Sequence, residues 1–575
     1  MCGIFALLCN NKFAKDDIIH DKWCNIFRKG RMRGPEHSIY KQHINEQLVL
    51  GFHRLAINGL DEISNQPITL GNITVICNGE IYNYKELYFE YGFQSTTNSD
   101  CEIIIHLYKQ FGIEKAIELL DGVFAFVLDD SDKNIVHIGR DPFGVRPMYI
   151  FENESMFGLG SEMKVLHDLG KGTISHVPPG TYSSLSLNTE GWRFVKRNIQ
   201  YYDLNIIYND NEKINYTENE DKLRELYTEI RNRLISSVQK RVVTTDRPIA
   251  CLLSGGLDSS LICALVQRQV NFLYPDKKVE TYSIGLEGSE DLYYAERVAK
   301  YIGTKHTSVV VDELTFLNAI PDVVKSIETY DTTTIRASVG NYLVSKYISE
   351  NSKAKVIFNG DGADELMGGY MYFHACPDSK EFNTECKRLL KNIHNYDVLR
   401  SDKSISSWGL EARTPLLDKN WVSFYLSLPI QLRNHNLSKG IEKKLIRTAF
   451  SYPLLFENKD MKPILPDEVL WRKKEAFSDG VSKQSRSWFQ IIQESVELID
   501  NLDSISIPKH LKTFGQPITQ EQKYYYMLFH SNYPTRESIL KYYWMPNYIK
   551  STDSSARTLS VYRFIENEEE HSFSI

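Results

Sequence analysis

An apolar run, Ile249–Leu253, passes directly into Ser254-Gly255-Gly256-Leu257-Asp258-Ser259-Ser260 and then into a helical pattern from Ser259. Strand, glycine-rich turn and helix in that order aim backbone N–H groups and a helix N-terminus at one point, which suits a phosphate. The run is not a Walker A loop, because no Gly-Lys-Ser/Thr follows the glycines. It also constrains the fold around it. A helix is expected at Leu223–Lys240, and strands at Val279–Leu286, His306–Val311 and Ala354–Phe358 alternate with helices such as Asp291–Ile302. Strands that alternate with helices pair in parallel through right-handed crossovers, giving an α/β sheet. From about residue 365 to about residue 545 the pattern is mostly helical.

The first 200 residues read differently. Short β-type runs at Leu48–Phe52, Ile73–Cys77, Val123–Leu128, Ile135–Ile138 and Met148–Phe151 are broken by Gly, Asn and Asp. Helices are expected at Trp23–Lys29 and Cys101–Leu120, so this part reads as an α+β domain with sheets layered between helices. At 575 residues the chain exceeds what one core organises. Domains are expected at 2–200 and 213–547, joined through the polar stretch Ile206–Lys222. Residues 551–575, Ser/Thr-rich and then acidic at Glu566 and Glu568–Glu570, read as a disordered tail. A net charge of −7 argues against a dedicated nucleic-acid surface. No stretch approaches the ~18 apolar residues of a membrane span, and no secretory signal precedes the first strand. Nine scattered cysteines without a C-x-x-C pair read as reduced thiols, so a cytoplasmic protein is expected.

Cys2 follows the initiator methionine. Cysteine is small enough for Met1 to be removed, which leaves a thiol and an α-amine on one residue. An α-amine with a pKa near ~7.7–8.0 can take the thiol's proton and activate the sulfur. Arg54, just after an expected strand, has the planar guanidinium that grips a carboxylate. Asn78 and Gly79 can offer an amide and an open backbone N–H to an oxyanion. Glu80 and Asp100 can receive an ammonium. Gly139–Pro147 reads as a framework turn between two strands. Taken singly, each has an ordinary explanation: a surface Arg, a hairpin Asn-Gly, an N-cap Asp.

Together the runs M-C-G-I-F, R-G-P-E (Arg33–Glu36), R-L-A-I, N-G-E-I-Y-N and G-R-D-x-x-G resemble the class II glutamine amidotransferases, whose fold is the N-terminal-nucleophile αββα layering. The resemblance implies that Cys2 attacks the side-chain amide of glutamine. Asn78 and Gly79 would hold the oxyanion, and Arg54, Leu55, Ala56, Ile57, Asn58, Asn78, Gly79, Glu80 and Asp100 would bind the substrate. The S-G-G-L-D-S run resembles the pyrophosphate loop of the ATP pyrophosphatases. E-T-Y-D-T-T-T-I-R-A-S (Glu328–Ser338), N-G-D-G-A-D-E (Asn359–Glu365) with Gly368-Gly369-Tyr370, the Ser407–Asp418 segment, and W-R-K-K-E-A-F-S-D-G (Trp471–Gly480) follow in order. The whole, over about residues 1–545, resembles the glutamine-hydrolysing asparagine synthetases.

That resemblance implies an adenylating domain with a helical C-terminal part, ATP as substrate and Mg²⁺ as cofactor. Aspartate would be activated as β-aspartyl-AMP and then amidated. Leu253, Ser254, Gly255, Gly256, Asp258, Ser259, Ile284, Asn359 and Gly360 would bind ATP. Asp258 and Asp364 would hold Mg²⁺, Lys474 would stabilise phosphate charge, and Thr333, Thr334 and Arg336 would contact phosphate or aspartate. The partners implied are small molecules and a second copy of the chain, with neither nucleic acid nor membrane. One departure stands out. The family commonly has Ser-Gly-Glu-Gly where this chain has Asn359-Gly360-Asp361-Gly362. Asp361, expected to be catalytic, reaches ~1.5 Å less far than Glu, a misplacement that can cost ~100-fold in rate. It keeps open a related ligase acting on another carboxylate.

Overall fold

β1 (Gly3–Cys9) is buried along its whole length and sets the layering of the first domain. Ile4, Ala6 and Leu8 face one core and Phe5, Leu7 and Cys9 another, as the two-residue period of a strand buried on both faces requires. The structure is a computed structural model that describes residues 1–12, 17–42, 47–206, 220–438, 440–451, 463–474, 480–483, 486–505, 507–508, 511, 515–551 and 553–555. Most of the expected linker (207–219), Glu475–Asp479 of the W-R-K-K-E-A-F-S-D-G run, and 556–575 of the expected tail lie outside the described residues.

In chain order the first domain adds β2 (His37–Gln42), β3 (Leu48–Arg54), β4 (Ile68–Leu70), β5 (Ile73–Ile81), β6 (Gly122–Asp130) and β7 (Ile135–Arg140). β8 (Tyr149–Glu152), β9 (Met156–Gly160), β10 (Thr173–His176), β11 (Thr181–Asn188) and β12 (Gly191–Gln200) complete it. Two antiparallel sheets result, β10-β8-β9-β1-β3-β2 and β12-β11-β7-β6-β5-β4. Ile4, Phe52, Ile76, Val127 and Leu159 fill the space between them. Helix Asp17–Arg28 covers the first sheet through Trp23, Ile26 and Phe27. Helices Tyr84–Tyr91 and Ile103–Leu119 cover the second. The layering is αββα, as expected. β5 differs from its expected extent: it runs past Cys77 to Ile81, because Asn78, Gly79 and Glu80 continue the ladder opposite Ala125, Phe124 and Val123. Asn78-Gly79 is strand, not turn.

The second domain carries one parallel sheet. β13 (Ile249–Leu252), β14 (Glu280–Leu286), β15 (Lys305–Val311), β16 (Val356–Phe358) and β17 (Glu411–Arg413) lie in the order β15-β14-β13-β16-β17. Helices Leu257–Leu273, Glu290–Ile302 and Thr332–Asn351 make the crossovers; the first begins near the expected Ser259 and the second matches the expected Asp291–Ile302 closely. Beyond them come mostly helices, among them Ser379–Asn392, Asp397–Ser406, Trp488–Glu497 and Gln520–Asn532. β17 was not expected within this helical region. Its three residues are too few for a period, and two of them carry charge. At the chain's end, Asp553 and Ser554 pack on the domain through Arg336 and Thr333, where a disordered tail was expected.

The domains meet through buried polar contacts. Glu328 accepts from Met163 N at 2.6 Å and Lys164 N at 2.8 Å, and the Lys403 ammonium pairs with it from its own domain. Both charged side chains are fully buried. Removing one partner of such a pair leaves an uncompensated charge, a cost of about 3–5 kcal/mol. Lys403→Met is therefore expected to lower the apparent thermal midpoint clearly, and Lys403→Met with Glu328→Gln to recover part of the loss. An unchanged midpoint in the single variant would show that the pair does not brace the interface.

Candidate active sites

Cys2 lies just before β1. Its thiol donates to Leu55 O at 3.5 Å, and its carbonyl accepts from Arg33 Nε at 2.9 Å. Burial raises the thiol pKa, against the pull of the neighbouring Met1 amine and the Leu55 contact. The Met1 amine is itself held down to about 6 by burial and donates to Leu410 O at 3.3 Å. The Ser161 hydroxyl accepts from Ile4 N at 3.0 Å and from Asn78 Nδ2 at 3.4 Å. Through Ser161 the Asn78 amide is tied to β1 two residues from Cys2. Gly79 admits no larger residue, because a Cβ there would lie 2.3 Å from Val123 O.

Beside them is an acidic pocket. Asn58 Nδ2 donates to the Glu80 carboxylate and lies 3.5 Å from Asp100 Oδ1, while Asp100 Oδ2 accepts from Ile81 N at 2.7 Å. Burial pushes Asp100 up to about 6. Burial, with Glu411 and Asp100, pushes Glu80 well above the carboxylate range. Crowded buried carboxylates of this kind favour an added cation. Arg54 is placed differently from expectation. Its guanidinium donates to Asp61 O at 2.8 Å, Asn65 Oδ1 at 2.7 Å, Asn58 O at 3.4 Å and Gly59 O, so here it clamps the 58–65 loop. The second domain braces the same loop: Arg247 Nε donates to Ala56 O at 2.7 Å, and Gly59 N donates to Asp246 Oδ2 at 2.9 Å.

In the second domain a cavity of 210 Å³ opens at the C-terminal ends of β13 and β16, where open parallel sheets bind ligands. Leu253, Ser254, Gly256, Asp258, Ser259, Ile284, Asn359, Gly360, Asp361, Asp364 and Lys474 all line it. Gly255 holds φ +74°, and a Cβ there would strike Tyr294 at 2.4 Å, so the turn requires glycine. Ser254 N donates to Ser259 Oγ at 3.2 Å, which folds the loop onto the start of helix Leu257–Leu273. Lys474 Nζ donates to Asp364 Oδ2 at 2.6 Å. Lys443, which the sequence did not single out, bridges Asp258 Oδ2 at 2.6 Å and Asp364 Oδ1 at 2.5 Å. It does so from a left-handed backbone, φ 58°, a strain found where function demands it. Burial alone would raise Asp364, but Lys443 and Lys474 outweigh it and hold the carboxyl below its usual range.

At the other end of the cavity Arg400 Nη2 donates to Asp361 Oδ1 at 3.0 Å and to Asp397 Oδ1 at 3.2 Å. Asp361 Oδ2 is buried with no hydrogen-bond partner among the described residues. The Tyr370 hydroxyl donates to Glu365, whose pKa is raised by burial first and then by Asp397 and Asp364. Of the three weaker candidates only Thr333 lines the cavity. Thr334 is bound to Asp331, N-cap of helix Thr332–Asn351. Arg336 is committed to Glu521 at 2.8 Å and Asp553 at 2.8 Å, away from the cavity. Asp258 and Asp364 fit the expected Mg²⁺ in the way that ion is usually held, by one or two carboxylates plus substrate phosphates. Among the described residues no cluster of three or more His, Cys, Asp or Glu forms a self-sufficient metal cage.

Residues 1–187 match the family model described as a glutamine amidotransferase domain, and residues 229–384 and 375–503 that described as asparagine synthase. The chain is 40% identical over 580 residues to the glutamine-hydrolysing asparagine synthetase of Cricetulus griseus, covering 98% of this chain and 99% of that protein. It is 39% identical over 585 residues to that of Homo sapiens, with the same coverage. Among solved structures, the glutamine phosphoribosylpyrophosphate amidotransferase of B. subtilis aligns over 53% of this chain and 81% of its own, with 14% identity and a TM-score of 0.30. An amidotransferase domain joined to a nucleotide-type parallel sheet is the class that the fold and the family models define. The chain belongs to the glutamine-hydrolysing asparagine synthetase family.

Because Gly79 sits against β6 with no room for a side chain, Gly79→Ala must displace β5. On the expected role of the Gly79 N–H as an oxyanion donor, whose loss costs about 10²–10³ in rate, glutamine hydrolysis should fall by at least about 100-fold. ATP binding, measured by calorimetry, should stay within about twofold. Hydrolysis at the wild-type rate would remove β5 from the site.

Proposed function

We propose that the chain converts aspartate to asparagine, using ATP and ammonia taken from glutamine. The observation that carries this is the pairing of two side-chain constellations in one chain: Cys2 with the Asn58–Glu80–Asp100 acidic cluster, and a cavity in which the phosphate loop lies beside carboxylates bracketed by lysines. Family membership at 40% identity over nearly the whole length supports the same reading.

In the first domain, residues 2–200, removal of Met1 would place an α-amine on Cys2 itself, beside its thiol. The α-amine takes the thiol's proton and the thiolate attacks the amide carbon of glutamine; Asn78 Nδ2 and Gly79 N–H receive the oxyanion, the amine returns the proton to the departing ammonia, and water hydrolyses the γ-glutamyl thioester to glutamate and free Cys2. Glu80 and Asp100 take the α-ammonium. Arg54 exchanges loop contacts for the α-carboxylate or positions the 55–58 backbone that holds it. In the second domain, residues 213–547, the N–H groups of Ser254–Ser259 receive the β- and γ-phosphates. Asp258 and Asp364 would hold Mg²⁺, which neutralises charge on the departing pyrophosphate. The β-carboxylate of aspartate attacks the α-phosphorus, Lys474 and Lys443 stabilise the phosphate charge, and ammonia then displaces AMP from β-aspartyl-AMP. Ammonia passes between the sites inside the protein. Cytoplasmic location and a homodimer complete the proposal; all nine cysteines are free thiols, which fits a reducing compartment.

The cavity also accounts for the acceptor. Aspartate carries one ammonium and two carboxylates. The hydrogen-bonded Glu365–Asp397 carboxyls suit the ammonium, and Arg400 suits the α-carboxylate. Arg400 also fixes Asp361, so its shortened side chain is held at a defined point on the acceptor side. Arg400→Lys removes a planar, bidentate donor and should raise KM for aspartate about tenfold or more, at about 1.5–3 kcal/mol per charge-assisted bond. KM for ATP should move less than about threefold. Equal effects on both substrates would place Arg400 at the nucleotide instead.

Cys2→Ala should abolish glutamine-dependent asparagine formation and spare synthesis from added ammonia. ADP and phosphate in place of AMP and pyrophosphate would refute the adenylation step. Since Asp100 titrates at about 6 and an ammonium needs the ionised form, kcat/KM for glutamine should fall on the acid side of about pH 6. A profile flat to pH 5 would show that Asp100 does not receive the amine.

A further inference from the structure

β17 touches both sites with a single residue. Arg413 is fully buried. Its Nη2 lies 3.3 Å from Glu80 Oε2, the same oxygen that accepts from Asn58 Nδ2 in the acidic pocket of the first domain. Its Nε donates to Glu411 Oε1 at 3.0 Å, and its Nη1 donates to Arg241 O, so the guanidinium is held from three sides. Its main-chain oxygen accepts from Asn359 N at 3.1 Å, at the point where β16 ends and the Asn359-Gly360-Asp361 wall of the synthetase cavity begins. A Cβ on Gly360 would lie 2.8 Å from Ser259 N, so that wall is packed hard against the phosphate loop. A shift of β17 cannot be absorbed there without moving one against the other.

We propose that Arg413 is a positioning residue that reports glutamine occupancy to the Asn359–Asp361 wall. The inference rests on the reading that Glu80 and Asp100 receive the glutamine ammonium. The switch is a charge competition. In the ligand-free pocket the Arg413 guanidinium lies 3.3 Å from the Glu80 carboxyl. An arriving α-ammonium places a second cation beside that guanidinium, so it repels Arg413 and relaxes β17. Coupling of this kind is reciprocal: ligands that fix the Asn359–Asp361 wall must change glutamine affinity by the same factor. The purpose is economical. Ammonia released before an acceptor is activated is lost, and a strut between the two pockets makes each site sensitive to the other.

The test uses the full chain carrying Cys2→Ala, which binds glutamine without consuming it. Glutamine Kd is measured by calorimetry alone and with α,β-methylene ATP plus aspartate, a nucleotide that cannot release pyrophosphate. The expected result is a change of about fivefold or more, the lower end of ordinary site–site coupling. With Arg413→Gln added, that ratio should fall below about twofold, while the Kd of each ligand alone stays within about threefold. Arg413→Lys, which keeps the charge but not the fork, should retain part of the ratio. A merely structural role for Arg413 would weaken both ligands together and leave their ratio intact. Arg247→Gln serves as the competing route, since Arg247 braces Ala56 from the second domain. Coupling lost there but kept in Arg413→Gln would overturn the proposal. If Arg413→Gln does not fold, hydrogen exchange on Cys2→Ala decides: glutamine alone should alter protection of the Asn359 amide, and no change would sink the strut. Absence of any glutamine binding would sink the pocket assignment and the strut together, whereas binding without coupling sinks only the strut.

Discussion

Glu411 and Asp402 hold the two domains in register. Glu411 lies 3.0 Å from Arg413 and 3.5 Å from Arg146. Asp402 takes Arg33 at 2.7 Å and Arg146 at 3.4 Å, and Arg33 reaches on to Glu162 at 3.7 Å. These side chains are essentially withdrawn from water. Burial would raise Glu411, and Arg413 and Arg146 outweigh it to keep the carboxylate charged. Desolvating ions is costly, so the net contribution of such a network to stability is small. Its effect is on geometry. Any other docking of the domains would strand a buried charge, at about 3–5 kcal/mol each, and so the nucleophile end of β1 and the edge of the parallel sheet face one another in one arrangement.

Much of this was legible because the informative residues are neighbours in sequence. Ile249–Ser260 carries strand, turn and helix start in twelve consecutive positions, and the cavity forms where that order requires. The α+β character of the first domain followed from its short β-type runs and interposed helices, and the αββα layering from the family resemblance. What escaped was contributed from a distance. Lys443 meets Asp258 across 185 positions and Arg400 meets Asp361 across 39. A basic residue on a helical stretch has no local mark that separates a solvated charge from one aimed into a cavity. Arg336 failed in the opposite sense. Its motif was conspicuous, yet Glu521 and Asp553 neutralise it, and neither lies near it in sequence.

Asp361 shows how a local departure is read once its surroundings are known. Loss of a methylene matters if the carboxylate must swing freely, and less if another group determines where it stands. Arg400 holds Oδ1 at 3.0 Å and leaves Oδ2 buried and unengaged among the described residues. A buried acceptor without a donor is costly. On the function proposed above, a substrate ammonium or ammonia itself would satisfy that oxygen despite the shorter arm.

β17 unites these observations. An edge strand of a parallel sheet leaves alternate carbonyls unpaired, and such edges are usually covered. Here Glu411 N donates to Lys355 O and Asn359 N to Arg413 O, which ties the inner side of β17 to the sheet. On the outer side Ala412 O accepts from Arg146 Nη1 at 3.3 Å. A donor that closes the synthetase sheet therefore comes from the amidotransferase domain. Domain docking and completion of the sheet edge are one event, and the strand that receives it is only three residues long. A strand that short has little ladder of its own to resist displacement. Its position is set by the groups on its two flanks, and those groups come from both domains.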